Sequence, residues 1–239
     1  MQLSVVVPAL NEENHLAPLL RLLRAMPQVH EIVVCDGGSD DATVRVAEQG
    51  GARVVNSARN RGAQLNAGAQ AASGDTFWFL HADARPHPAS ARLMQRALGD
   101  RRVWGGNLRL RFDDAADSSA DAAGPNPRHA ARLFESIARW QRPLGIYYGD
   151  SGVWVRRAVY ETLGGFQAWP LFEDFDFARR LERRARRHRA RTVCLPLPLR
   201  VSSRRVRHGA RRVLWQWACL QTLFSLGVSP HRLARLYHR

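Results

Sequence analysis

"TFWFLHAD", residues 76–83, sets three aromatics and a leucine in one unbroken apolar run and ends on a histidine and an aspartate. A strand with one wet face alternates apolar and polar residues; an unbroken run is buried on both faces, as in a parallel sheet covered by helices. Pro86 and Pro88 then forbid continuation of regular structure. The stretch therefore reads as an inner strand that delivers His81 and Asp83 to the sheet edge. Upstream, LSVVVPAL (3–10), EIVVCD (31–36) and ARVVNS (52–57) have the same strand character. Helical segments separate them. NHLAPLLRLLRAM (14–26) carries Leu16, Leu19, Leu20 and Leu23 on one face, DDATVRVAEQG (40–50) is stopped by Gly50 and Gly51, and GAQLNAGAQAAS (62–73) is the third. The alternation defines an α/β fold, a Rossmann-like, mostly parallel central sheet flanked by helices. Its ligands should gather at the carboxyl ends of the strands.

The second half is less regular. DDAADSSADAAGPNPR (113–128) is acidic, rich in small residues and closed by prolines, which predicts a flexible loop. After it come a helix at 129–140, a strand at 151–157, a helix at 172–188 and a long helix at 208–227. No internal repeat or linker is present. The expectation is one domain over 1–239: a first half (1–112), the loop, a second half (129–195) and a basic helical tail (196–239).

A chain of 239 residues with 45% hydrophobic content has ample material for a core. No run of about 18 apolar residues occurs, which argues against a membrane-spanning helix. Met1 leads directly into LSVVVPAL, so a first strand is expected there, not a signal peptide. The three cysteines, Cys35, Cys194 and Cys219, are scattered without metal-like spacing and fit a reducing cytoplasm. The formal charge is +15, and all 36 basic residues are arginine. From 196 to 239 there are nine arginines and no acid. Such a tail suits a polyanion, whether nucleic acid, anionic lipid or a phosphorylated substrate, or else it is a solvated arginine-biased surface. No nucleic-acid motif appears and aromatics do not alternate with the arginines, so no specific nucleic-acid partner is expected.

Acidic residues fall where strands end: Glu12 after the first, Asp36 at the second, Asp83 at the fourth, and Glu173 with Asp174 at a helix start. Singly each has an ordinary use. Glu12 and Glu13 favour a helix N-terminus, as Asp174 would, and Ser39, Asp40 and Asp41 are placed to cap the second helix. Together they put a concentration of negative charge at one edge, which needs a cation or a donor-rich ligand. A magnesium or manganese ion at Asp83 would meet that need and neutralise a diphosphate. Asp36 can accept hydrogen bonds from a base or ribose. Arg59 and Arg61 stand beside Gly62 at a turn into a helix N-terminus, a setting for anionic groups. The G-x-G-x-x-G fingerprint and the Walker lysine are both missing, which weakens a dehydrogenase or kinase reading.

In order along residues 2–185, SVVVPALNEE, EIVVCDGGSDDAT, GAQLNAGAQAASGD, FLHADARP, GDSGVWVRR and FEDFDF resemble the motifs of family 2 glycosyltransferases with the GT-A fold. They are most similar to a bacterial subgroup described as radical-SAM/selenodomain-associated. The resemblance implies a nucleotide-sugar donor, probed first as a UDP-sugar, a divalent metal on its diphosphate, and inverting transfer to an unidentified acceptor hydroxyl. It places Pro8, Glu12 and Asp36 at the nucleoside, Asp83 at the last position of the D-x-D metal motif, and Asp174 as the catalytic base. Gly149, Asp150 and Glu173 fall on the acceptor side. His81 stands where the first aspartate of D-x-D usually is, and metal ligation, phosphate contact and simple packing are all open to it. The Q-x-x-R-W motif and membrane helices of processive synthases are lacking. The rival readings are a polyanion- or membrane-binding protein on a degenerate transferase scaffold, and a nucleotidyltransferase. The retained Asp36, Asp83 and Asp174 argue against the first; PALNEEN, where a glycine- and arginine-rich loop should be, argues against the second.

In the 208–227 segment Val213, Trp217, Leu220 and Phe224 follow helical spacing, while Trp215, Cys219 and Leu226 widen the apolar surface. Arg207, Arg211 and Arg212 crowd its start, and Arg232, Arg235 and Arg239 follow it. The helix either packs on the core or a partner subunit, or lies on an anionic membrane. The expected location is the cytoplasm, with attachment at the inner face of the membrane under the second reading.

Overall fold

The computed structural model describes residues 1–112, 127–202 and 210–237, without the side chains of 127–131, 210–214 and 237. Of the expected loop at 113–128, only the last two residues are among those described. The first half runs β1 (Leu3–Ala9), α1 (Glu13–Arg24), β2 (Val29–Asp36), α2 (Thr43–Gln49), β3 (Arg53–Asn56), α3 (Arg61–Ala71) and β4 (Thr76–Phe79). Next come β5 (Arg85–Pro86), α4 (Ser90–Leu98), β6 (Val103–Phe112) and α5 (Pro127–Gln141). Short 3-10 turns at Arg142–Leu144 and Gly149–Ser151 lead to β7 (Trp154–Arg156), α6 (Arg157–Leu163), α7 (Glu173–Arg187), β8 (Arg191–Val201), α8 (Ala210–Ser225) and α9 (Pro230–Tyr237).

The sheet order is β3-β2-β1-β4-β7-β6-β8-β5. β3, β2, β1 and β4 are mutually parallel, and β6 pairs in parallel with β8. β7 runs antiparallel between β4 and β6, and β5 antiparallel to β8. The unbroken apolar runs are explained by burial on both faces. Val5, Val7, Trp78 and Leu80 pack on one side with Leu16, Leu19 and Leu23 of α1. Val6, Phe77 and Phe79 pack on the other with Leu65 of α3 and Phe177 of α7. From β1 the chain builds β2 and β3 on one side, then crosses to place β4 on the other. The loops after β1 and β4 thus diverge and leave a crevice at the strand carboxyl ends, the usual ligand position of such sheets.

Several elements differ from the sequence expectation. β4 stops at Phe79, although Leu80 N–H still bonds the Val6 carbonyl at 3.0 Å. His81 and Asp83 lie in the turn that follows. β6, β8, α4 and α6 were not anticipated. In β6, Gly105 and Gly106 look like a break but serve close strand approach: a Cβ would lie 2.4 Å from the Trp154 carbonyl oxygen or 1.8 Å from that of Val193. β8 contains Pro196 and Pro198, and the register jumps there, with Leu108 opposite Leu195 and Arg109 opposite Pro198. A bulge thus absorbs the prolines. Residues 196–201 are therefore strand, and the helical part of the basic tail begins later. Among the described residues no helix is long and apolar enough to cross a membrane.

Candidate active site

The crevice is assembled by side chains that tie distant loops together. Gln64 of α3 donates from Nε2 to the carbonyls of Ala9 and Cys35, both at 2.8 Å, fixing the ends of β1 and β2 to one helix. Asn60 caps α3 by accepting from Ala63 N–H at 3.0 Å, which makes Arg61 its first residue. A Cβ on Gly62 would lie 2.1 Å from the Gln167 carbonyl oxygen, so α3 meets the loop before α7 backbone to backbone. Asn66 clips the same loop, donating to the Phe166 carbonyl and accepting from Phe166 N–H, each at 2.8 Å. α7 then starts from Phe172, a non-glycine residue at φ +67. Its ring is buried and stacked on Phe224 of α8 at 4.7 Å.

These constraints put Arg61 against the α7 N-terminus. Its Nε lies 3.1 Å from Glu173 Oε1 and its Nη2 3.6 Å from Asp174 Oδ2. The same Nη2 contacts His81 Nε2, which is 3.2 Å from Asp150 Oδ1. Asp174 is further anchored by Gly149 N–H on Oδ2 at 2.6 Å and Phe175 N–H on Oδ1 at 2.7 Å. A Cβ at Gly149 would come within 2.6 Å of Arg61 Nη2 and 2.9 Å of Asp174 Oδ2, so glycine is required by proximity. Pro8, Arg61, His81, Gly149 and Asp174 line one small recess walled by Phe79 and Phe166.

The electrostatics centre on Arg61. Burial would lower its pKa, but Glu173, Asp174, Asp150 and Asp83 together raise it, so it is a permanent cation inside an acidic ring. Glu173 is 3% exposed. Its carboxyl is pushed up to about 7, by burial first and then by Asp174 and Asp150, against the opposing pull of Arg61. Tyr148 stacks on Phe175 at 5.6 Å and donates to Gln221 Oε1 at 2.7 Å; burial, then the nearby Asp174, raises its phenol.

Other expected site residues are near the crevice but differently engaged. Asp36 ends β2 opposite Ala9, and its carboxylate accepts from Gly38 N–H at 2.9 Å, Ser39 N–H at 3.0 Å and Ser39 Oγ at 2.5 Å. The carboxylate thus shapes its own loop. Ser39 is drawn to Asp36, while Asp40 N–H donates to Asn11 Oδ1, so neither caps α2; its N-cap is Ala42. Asp41 alone reaches the helix start, accepting from Thr43 N–H at 2.9 Å. Glu12 receives His15 at 3.6 Å, and its backbone N–H bonds Thr43 Oγ1. Arg59 is exposed and does not line the recess.

Asp83 sits in the turn after β4, close enough for its charge to act on Arg61. Among the described residues no group of three or more His, Cys, Asp or Glu side chains could hold a metal. The His81 nitrogen that would ligate one is shared by Arg61 and Asp150. The donor set therefore fits a metal shared between one carboxylate and substrate phosphates, which is common for magnesium, and not a protein cage. Gln64, Asn66 and Tyr148 were missed by sequence reasoning, which had no signal for partners so distant in the chain.

The model of the family described as "Glycosyl transferase family 2" matches residues 4–164. An undecaprenyl-phosphate 4-deoxy-4-formamido-L-arabinose transferase of Pseudomonas paraeruginosa is 35% identical over 176 residues, covering 67% of this chain and 48% of the relative. The same-named protein of Pseudomonas aeruginosa matches equally. The chain therefore spans about half the length of these relatives. Among solved structures, the mannosyltransferase PcManGT of Pyrobaculum calidifontis, in complex with GDP-Man and Mn2+, superposes with a TM-score of 0.61 at 19% identity. That match covers 83% of this chain and 56% of the other. A mycobacterial protein superposes at 0.57 with 21% identity, covering 84% and 65%. An anchored carboxylate and an arginine meet at the crevice of a GT-A sheet, and the family model spans those strands and loops as far as Gly164: the chain belongs to glycosyltransferase family 2.

Proposed function

We propose that the protein transfers a sugar from a nucleoside diphosphate donor to an acceptor hydroxyl with inversion, Asp174 serving as general base. The observation that carries this reading is the carboxylate of Asp174, held from both sides by Gly149 N–H and Phe175 N–H at the rim of the recess. In a single displacement the acceptor O–H gives its proton to Asp174 while its oxygen attacks the anomeric carbon. The bond to the diphosphate oxygen breaks as the new bond forms, and that requires base and leaving group on opposite sides of the sugar. Asp83 would hold a divalent cation, Mg2+ or Mn2+, together with the diphosphate; bound there, the cation supplies Lewis-acid stabilisation of the leaving group. Arg61 is already committed to four carboxylates. Its role is to orient Glu173 and Asp174. Pro8, Glu12 and Asp36 surround the place for the nucleoside, and Gly149, Asp150 and Glu173 border the acceptor. Uridine nucleotides are the first donor class to try, on family resemblance, and the names of the relatives add undecaprenyl phosphate as an acceptor candidate, in which a phosphate oxygen would take the place of the hydroxyl.

The test is a panel of UDP- and GDP-sugars, scored for nucleotide release with water as acceptor, with and without manganese. One donor class should be hydrolysed in a metal-dependent way. Asp174→Asn should bind that donor normally and lose hydrolysis by about 10²-fold or more. Release undiminished in the variant would move the base elsewhere, and absence of binding to any donor would overturn the reading.

A further inference from the structure

Seven large hydrophobic side chains are well exposed among the described residues, and six of them cluster in two parts of the chain. Leu133 (49% exposed), Trp140 (82%) and Leu144 (62%) lie on α5 and the turn after it. Trp215 (72%), Leu226 (76%) and Leu236 (52%) lie on α8, its end and α9. Leu133 and Trp140 are i and i+7 on one side of α5, while Leu144 lies in the 3-10 turn after it and Leu226 directly follows the last residue of α8. α5 and α8 are in contact, as are α8 and α9. On α8, Trp215 is exposed away from the side that the helix uses for packing. Trp217, Leu220 and Phe224 turn inward onto Phe172 and Phe175, beside Asp174. The broad apolar surface of the tail helix is thus two surfaces: one supports the catalytic loop and the other faces out.

We propose that the outward surface of α5, α8 and α9 docks on an anionic lipid bilayer. Charge selects this partner. Arg132, Arg139, Arg232 and Arg235 are exposed on the same helices. α8 and α9 contain no acid, and the acid of α5, Glu135, is turned to the sheet, where it holds Arg111 and accepts from Phe112 N–H at 2.9 Å. Tryptophan set among arginines is the composition of an interfacial helix face, with ring bodies in the headgroup region and guanidinium groups on lipid phosphates. A second copy of this chain fits less well, because a two-fold interface through this patch would bring the arginines of one copy toward those of the other. Arg207 lies outside the described residues, as do the side chains of Arg211, Arg212 and Val213. Docking this way would keep the recess one helix diameter, about 10 Å, from the bilayer, since Tyr148, next to Asp174, hydrogen-bonds Gln221 on the inward side of α8.

The full chain should be sedimented with vesicles of phosphatidylcholine alone and of phosphatidylcholine mixed with phosphatidylglycerol, at low and high salt. Binding should need the anionic lipid and weaken with salt. Trp140→Ser with Trp215→Ser should lower partitioning by about tenfold or more at unchanged thermal stability, because both rings are exposed in the unbound protein. Arg139→Glu with Arg235→Glu should lower it comparably, most at low salt. Failure to bind anionic vesicles, or binding unaffected by both pairs of substitutions, would overturn the proposal. A concentration-dependent dimer without lipid that the tryptophan substitutions abolish would overturn it in favour of a second copy. Donor hydrolysis in free solution is independent of these outcomes, so failure here leaves the proposed chemistry standing.

Discussion

Glu173 ought to make the protein less stable as pH rises through neutrality, and Glu173→Gln should remove that loss. The side chain is 3% exposed, its Oε1 is paired with Arg61 Nε at 3.1 Å without the alignment of a hydrogen bond, and its pKa is pushed from an ordinary 4.5 to about 7. A folded-state value above the unfolded one means that the native state binds more protons between those two pH values. The stabilising contribution is complete below the unfolded pKa and disappears as pH climbs through the folded one. Every tenfold difference in proton affinity between the folded and unfolded chain is worth about 1.4 kcal/mol, so between pH 5 and pH 8 the group removes roughly 2–3 kcal/mol. For a chain of this length that is about 5–10 °C in melting temperature. Glutamine keeps the shape and carries no charge at any pH. It also gives up part of the attraction to Arg61, which retains Asp174 and Asp150.

The assay is a series of thermal melts of the two proteins from pH 5 to pH 8.5, compared as a difference. Titrating groups away from the site contribute equally to both and cancel, leaving Glu173 and the carboxylates coupled to it, Asp174 and Asp150. The curves should nearly coincide at pH 5, and the variant should become progressively the more stable above pH 6. Parallel curves would refute the reasoning, because they would mean that Glu173 is ionised throughout and fully compensated by Arg61. A variant that loses ground as pH rises would refute it more strongly, since the ion pair would then be net stabilising.

Asp83→Ala should retain the fold and lose the manganese-dependent part of nucleotide affinity; calorimetry with and without the metal checks this, and an unchanged metal effect would place the cation elsewhere. Gly149→Ala puts a methyl 2.6 Å from Arg61 Nη2 and 2.9 Å from Asp174 Oδ2, so both must shift. Turnover should fall by about 10–10²-fold with little change in donor affinity, as expected for a displaced base, and steady-state kinetics with donor titration separates the two.

Legibility in the sequence followed the physics of each element. β1, β2 and β4 were readable because a strand buried on both faces has no polar phase to confuse, as VVV and FWF show. β6 and β8 were hidden by the residues that let them pair: Gly105 and Gly106 for contact with Trp154 and Val193, and Pro196 and Pro198 at a register shift. Rules that treat glycine and proline as breakers misread both strands, since those rules describe isolated segments and not neighbours at close range. The site divides in the same way. Glu173 and Asp174 are legible because carboxylates at a helix start after a loop carry a local pattern. The Arg61–Asp174 ion pair is not, because it depends on Gly62 and Asn66 clamping α3 to residues 100 or more positions later. The tail helix shows the limit most clearly. Trp215 and Trp217 are two positions apart and chemically identical, yet one packs near Phe172 and the other is 72% exposed. Hydrophobicity alone makes them a single broad surface. Only the position of α7 separates them, and that separation gives one apolar helix a side that supports the start of α7 and an exposed side, the one proposed above to dock.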